Sequence, residues 1–158
     1  ALAQGELKER FIIAVSYSGN TEEIIDTYQK AKENGLEVGA ISIGGKLLEF
    51  AKNNGAPYIK IPDTGIQPRS AVGLMFKALL KMMGEEKALR EAGILGKSLH
   101  PEDYEDAGKI LAQRIKGFVP IIYSSGKNAA IASNWKVRFN ETAKIPAFYN
   151  VFPQLNHN

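Results

Sequence analysis

Apolar residues recur along this chain in two rhythms. Short runs rich in β-branched residues, at 11–15, 36–43 and 58–61, read as strands buried in a parallel sheet. Between them the apolar positions take helical spacing: Ile24, Ile25, Tyr28 and Ala31, then Leu47, Leu48, Phe50 and Ala51. Glycines punctuate the pattern, with Gly35 at a helix end, Gly44-Gly45 as a tight turn and Asn54-Gly55 after the short helix. A proline-bracketed loop at 62–70 leads into a helix marked by Ala71, Leu74, Met75, Ala78, Leu79 and Met82, in which Met75 and Met82 read as core. Residues 84–117 are charged and helical, with Pro101 in a first turn and an apolar stripe of Tyr104, Ala107, Leu111 and Ile115. A strand returns at 118–123, followed by a small-residue turn, a helix through Ala130, Ile131, Trp135 and Phe139, and a last strand at 145–149. Alternation of this kind predicts right-handed crossovers and an α/β fold with a parallel sheet.

The junction of the first strand and helix carries the most chemistry. Ser16-Tyr17-Ser18-Gly19-Asn20-Thr21 is a turn of small polar residues, and Asn20 with Glu23 three residues on reads as a helix start. A helix N-terminus offers free backbone N–H groups and a partial positive charge to an anion. Ser16, Ser18 and Thr21 add hydroxyl donors, so a phosphate suits the turn. The local pattern alone fits equally well an ordinary corner whose hydroxyls only cap the helix. A second strand–Ser/Gly turn–helix occurs at Ser124-Ser125-Gly126-Lys127-Asn128, which suggests two related lobes. Lys127 reads as solvated, and His100 as a residue at a helix start.

Composition narrows the class. With 158 residues, 44% apolar and 23% charged, the chain suits a globular domain or part of a two-domain protein. The net charge of +3 is slight and spread out, with no basic block interleaved with aromatics, so nucleic-acid binding is not expected. There is no cysteine, which removes disulfides and thiolate chemistry, and the two histidines, His100 and His157, are too few for a histidine-rich metal site. No apolar run reaches membrane-spanning length and no signal peptide is visible, so a cytoplasmic setting and no membrane partner are expected.

Val15-Ser16-Tyr17-Ser18-Gly19-Asn20-Thr21-Glu22-Glu23 resembles the phosphate-binding loop of sugar isomerase (SIS) domains, doubly wound α/β modules. Pro68-Arg69-Ser70-Ala71 resembles the arginine-bearing loop of archaeal-type bifunctional phosphoglucose/phosphomannose isomerases, SIS proteins with two lobes. Phe139-Asn140-Glu141, followed by Asn156-His157-Asn158, is similar to the carboxylate and histidine signatures of the same family. Taken alone, Arg69 is a surface arginine, Glu141 a polar residue at a helix end and His157 a terminal residue. Their joint appearance with the Ser-Gly-Asn-Thr turn carries the resemblance.

The resemblance implies doubly wound, flavodoxin-like SIS lobes joined by helices and both incomplete here: a first lobe at 1–84 lacking its opening strand–helix unit, a helical connection at 85–117, and the start of a second lobe at 118–158. It covers only the middle of the family's length, so the chain is expected to be a fragment. By resemblance Ser16, Ser18, Gly19, Asn20 and Thr21 hold the substrate phosphate, Glu141 is the general base, His157 opens the sugar ring and Arg69 stabilises the enediolate. The chemistry asks for such groups: a histidine near neutral pH for ring opening, a carboxylate to move a proton between C2 and C1, and a fixed cation for the charge that develops. The implied reaction interconverts glucose 6-phosphate, and mannose 6-phosphate, with fructose 6-phosphate through a cis-enediol. It needs no metal or other cofactor, and the family implies a homodimer in which the histidine reaches a partner's site. A non-catalytic SIS regulator would keep Ser16, Ser18 and Thr21 without needing Glu141 or His157. An amidotransferase use of the fold requires a nucleophilic cysteine, which is absent.

Overall fold

The computed structural model describes residues 9–153. The chain divides into two compact units, Ala1–Ser98 and Leu99–Asn158.

The first unit is a three-stranded parallel sheet with helices on both faces. Its elements are β1 (Ile12–Val15), α1 (Glu22–Glu33), β2 (Val38–Ser42), α2 (Gly45–Asn53), β3 (Tyr58–Lys60), a 3-10 turn (Pro68–Ser70), α3 (Val72–Met82) and α4 (Glu86–Ser98). The strands lie in the order β1-β2-β3, with Ile12 opposite Val38 and Ala40 opposite Tyr58. Central β2 is buried along its whole length. Alternation of side chains splits the core in two. Ile12, Ala14, Val38 and Ala40 pack with Tyr28, Ala31, Leu47, Leu48 and Ala51 of α1 and α2. Ile13, Val15 and Ile41 pack on the other side with Leu74, Met75, Ala78, Leu79 and Met82 of α3. Both expected core methionines are in place, and the sheet is wound on two faces as expected. Each fully buried residue such as Leu47 or Ile41 contributes roughly 1.5–3 kcal/mol through the area removed from water.

Two readings of the α1 neighbourhood change. Leu36 packs on the core but precedes β2, because its N–H bonds the Ala31 carbonyl 2.9 Å away and closes the end of α1. The cap of α1 is Thr21, and no side chain caps it; the Asn20 side chain turns elsewhere.

The second unit comprises a 3-10 turn (Pro101–Tyr104), α5 (Glu105–Ile115), β4 (Ile121–Ser125), a 3-10 turn (Gly126–Asn128), α6 (Ala129–Arg138), a π turn (Phe139–Ala143) and β5 (Phe148–Phe152). β4 and β5 pair in parallel, with Ile121 opposite Phe148 and Ser125 opposite Phe152. Both strands begin three residues later than the hydrophobic runs predict. Pro120 and Pro146 have no N–H to give a ladder, and pairing opens where the Phe148 N–H reaches the Pro120 carbonyl at 3.0 Å. The expected stripe of α5 is not a buried face: Tyr104 and Leu111 are exposed and Ile115 is only half-buried. Among the described residues, Ala132 and Ala147 are the buried hydrophobics of this unit. No helix among the described residues is long and apolar enough to cross a membrane.

Candidate functional site

The turn between β1 and α1 lies at the carboxyl ends of the parallel strands, where open α/β sheets bind ligands. Its inner member is Ser16, buried directly after β1. The Ser16 Oγ accepts from the Gly19 N–H at 3.1 Å and lies 2.8 Å from the Thr21 Oγ1. Either hydroxyl can be the donor of this pair, and when Ser16 donates the Thr21 proton is free for another acceptor. Ser18 is exposed; its Oγ accepts from the Asn20 N–H at 3.2 Å, and its own proton is likewise available to a ligand. α1 begins without a side-chain cap, so its first N–H groups are not bonded by a capping side chain. Glu22 and Glu23 occupy the first turn and already complement the helix dipole. What the turn offers an anion is directed N–H and O–H donors more than net positive charge.

A second loop is locked onto this one. The Ile43 N–H donates to the Tyr17 carbonyl and the Leu47 N–H to the Gly19 carbonyl, each at 3.0 Å. The Lys46 N–H donates to the Asn20 Oδ1 at 3.2 Å. Ser42, at the end of β2, is fully buried; its Oγ lies 3.1 Å from the Tyr17 carbonyl and 2.9 Å from that of Gly44, and it accepts from the Gly44 N–H at 3.2 Å. Sequence reasoning missed Ser42. The available signal was a hydroxyl closing an otherwise apolar strand, immediately before two glycines.

The loop carrying Arg69 is tied to the same edge. The Tyr17 hydroxyl donates to the Ile66 carbonyl at 3.3 Å, which joins the segment after β3 to the turn after β1. Arg69 is half-buried in the 3-10 turn, with its Nη1 3.5 Å from the Gln67 Oε1. The structure thus gathers Ser16, Ser18, Gly19, Asn20 and Thr21 in one turn and links the Arg69 segment to it.

Glu141 belongs to the second unit. It is exposed on the π turn that follows α6. Its neighbour Asn140 donates from Nδ2 to the Ile145 carbonyl at 2.9 Å and closes the turn, which Lys144 leaves in a left-handed conformation with φ of 57°. Trp135 and Phe139, with ring centroids 5.9 Å apart, brace the end of α6. His157 lies outside the described residues. The small-residue turn of this unit, Gly126–Asn128, is a 3-10 turn, and the Ser124 Oγ donates to the neighbouring Ser125 carbonyl at 3.1 Å.

Residues 104–158 match the sequence family described as the bacterial phospho-glucose isomerase C-terminal SIS domain. Across 93% of its length the chain is 40% identical to a bifunctional phosphoglucose/phosphomannose isomerase of Caldicellulosiruptor bescii, of which it covers 47%. It is also 34% identical to a D-glucosamine-6-phosphate 4-epimerase of Sulfolobus acidocaldarius, covering 93% of this chain and 49% of that protein. Its fold matches a crystal structure from Clostridium difficile 630 described as a candidate phosphosugar isomerase, with a TM-score of 0.60 at 17% identity over 96% of this chain and 48% of the other. The chain spans about half the length of the curated relatives it matches. By these similarities the chain is related to the bifunctional phosphoglucose/phosphomannose isomerases, and its residues 104–158 match their C-terminal SIS domain.

Proposed function

We propose that this chain is part of an aldose–ketose isomerase acting on glucose 6-phosphate, mannose 6-phosphate and fructose 6-phosphate. The observation that carries the reading is the turn at 16–21, in which the exposed residues Ser18 and Thr21 bring hydroxyls beside a helix start that no side chain caps. Ser16, Gly19 and the Asn20 backbone complete the phosphate cradle. The phosphate is remote from the reacting carbons, so its binding energy serves to place C1 and C2.

His157 protonates the ring oxygen and takes the anomeric proton as the ring opens. Glu141 removes the C2 proton to give the cis-enediol and returns it to C1, with the Arg69 guanidinium balancing the negative charge on the enediolate oxygen. The residues act in a homodimer in the cytoplasm, and the reaction draws on no metal or other cofactor.

Fructose 6-phosphate isomerisation, followed by coupled detection of glucose 6-phosphate, tests the reading with Glu141→Gln alongside. Turnover by the chain, abolished by the substitution while phosphate binding persists, is the expected result; turnover indifferent to Glu141 overturns the assignment. The relative named as a D-glucosamine-6-phosphate 4-epimerase favours one second reading, a sugar-phosphate epimerase built on the same phosphate site. Conversion of glucosamine 6-phosphate without any isomerisation of fructose 6-phosphate would select it. A non-catalytic regulator would bind both compounds and convert neither.

A further inference from the structure

We propose that the turn between β2 and α2 is the template that holds the phosphate loop in its binding conformation, with Ser42 and the Asn20 side chain as positioning residues that do not touch the ligand. The inference rests on the reading of loop 16–21 as a phosphate site.

The two turns meet backbone to backbone. Gly19 has φ of 73°, and a Cβ there would run into the Gly44 carbonyl and lie 2.7 Å from the Ser42 Oγ. Gly45 has φ of 69°, and a Cβ there would lie 2.6 Å from the Ser18 carbonyl and 2.8 Å from the Asn20 Oδ1. Each turn thus takes a left-handed glycine that the other leaves no room to replace. The polar atoms at the seam then account for one another. Ser42 has one proton and two carbonyls within reach, those of Tyr17 and Gly44, and its oxygen takes the Gly44 N–H. The Asn20 Oδ1 is occupied by the Lys46 N–H, and its Nδ2 is directed at the Ser18 carbonyl, 3.5 Å away. An amide spent on the neighbouring turn is not directed at an anion. Its effect on binding passes through the shape it gives to Ser18, Gly19 and Thr21.

The test is titration of the whole chain with inorganic phosphate and with fructose 6-phosphate, followed by calorimetry and by amide NMR. Ser42→Ala and Asn20→Ala, confirmed as folded by circular dichroism, are expected to bind about tenfold more weakly, the scale of one lost buried hydrogen bond. Ser42→Thr, which keeps the hydroxyl, restores affinity. The Lys46 amide resonance moves when ligand binds the wild-type chain and stays still in Asn20→Ala, a response that general loss of stability does not produce. Where Ser42→Ala fails to fold, the exposed Asn20→Ala decides. Wild-type binding with unchanged affinity in the folded alanine variants overturns the template and leaves the phosphate site standing. No binding by the wild-type chain overturns both.

Discussion

The chain contains the order strand, Ser/Gly turn, helix twice, and the two copies have different geometry. After β1, Ser16 is buried, Gly19 is left-handed and wedged against Gly44, and the turn runs straight into α1. After β4, the strand is alternately exposed, Gly126 has open space around its missing Cβ, and a 3-10 turn intervenes before α6. The first turn has a second turn to seat on, supplied by β2 and α2; among the described residues nothing lies within 4 Å of the place a Gly126 Cβ would take. A cradle for an anion needs donors held in one arrangement before the ligand arrives, and composition alone does not provide that. Neighbouring backbone does.

The largest expected effect separates the two glycines. Gly19→Ala combines left-handed strain with a backbone clash and is expected to destabilise the first unit by about 3 kcal/mol or more, measured by urea unfolding followed by circular dichroism. Gly126→Ala is expected to stay within about 0.5 kcal/mol of the parent. Equal costs at the two sites would erase the distinction drawn between the turns.

Next come two single hydrogen-bonding groups, one in each unit. The Tyr28 hydroxyl is buried in the core of the first unit with no partner among the described residues. Tyr28→Phe is therefore expected to stabilise by about 1 kcal/mol, seen as a higher urea midpoint. In the second unit, Asn140→Ala removes the bond that closes the π turn and is expected to cost about 1 kcal/mol. The only tryptophan, Trp135, lies one helical turn before Phe139, so its fluorescence reports this unit selectively.

The smallest effect concerns the surface. The Lys81 ammonium, 2.6 Å from the Glu86 carboxylate, holds that carboxyl below its ordinary value, first by the hydrogen bond and then by its charge. A depressed carboxylate contributes above its unfolded pKa, and the contribution fades as pH falls through the folded one. Both groups are exposed, so the contribution is heavily screened. NMR titration should place the Glu86 carboxyl below its ordinary value, and Lys81→Met should raise it with the thermal midpoint at neutral pH unchanged.

Much of this was legible in the residues. The short apolar runs located the three strands of the first sheet, and Met75 and Met82 fell on the buried face because α3 is amphipathic. The Ser/Gly turn announced itself by composition. What stayed hidden depends on partners distant in sequence. Ser42 looks like a stray polar residue until Tyr17 and Gly44 are beside it, and Asn20 looks like a helix cap until Lys46 claims its oxygen. Strand starts near Pro120 and Pro146 shifted because a hydrophobic run does not reveal which N–H groups are missing from a ladder. The α5 stripe has helical spacing, yet spacing alone does not supply a covering surface. The carboxylate signature was readable only by family resemblance, since Glu141 stands exposed on an irregular turn that no propensity scale marks.

The most direct test of the account is to map fructose 6-phosphate onto the chain by amide NMR. The largest shifts are expected on Ser18, Gly19, Asn20, Thr21 and the first N–H groups of α1, with little change at Ser124, Ser125 and Gly126. Shifts confined to the second turn, or none at either, would contradict it.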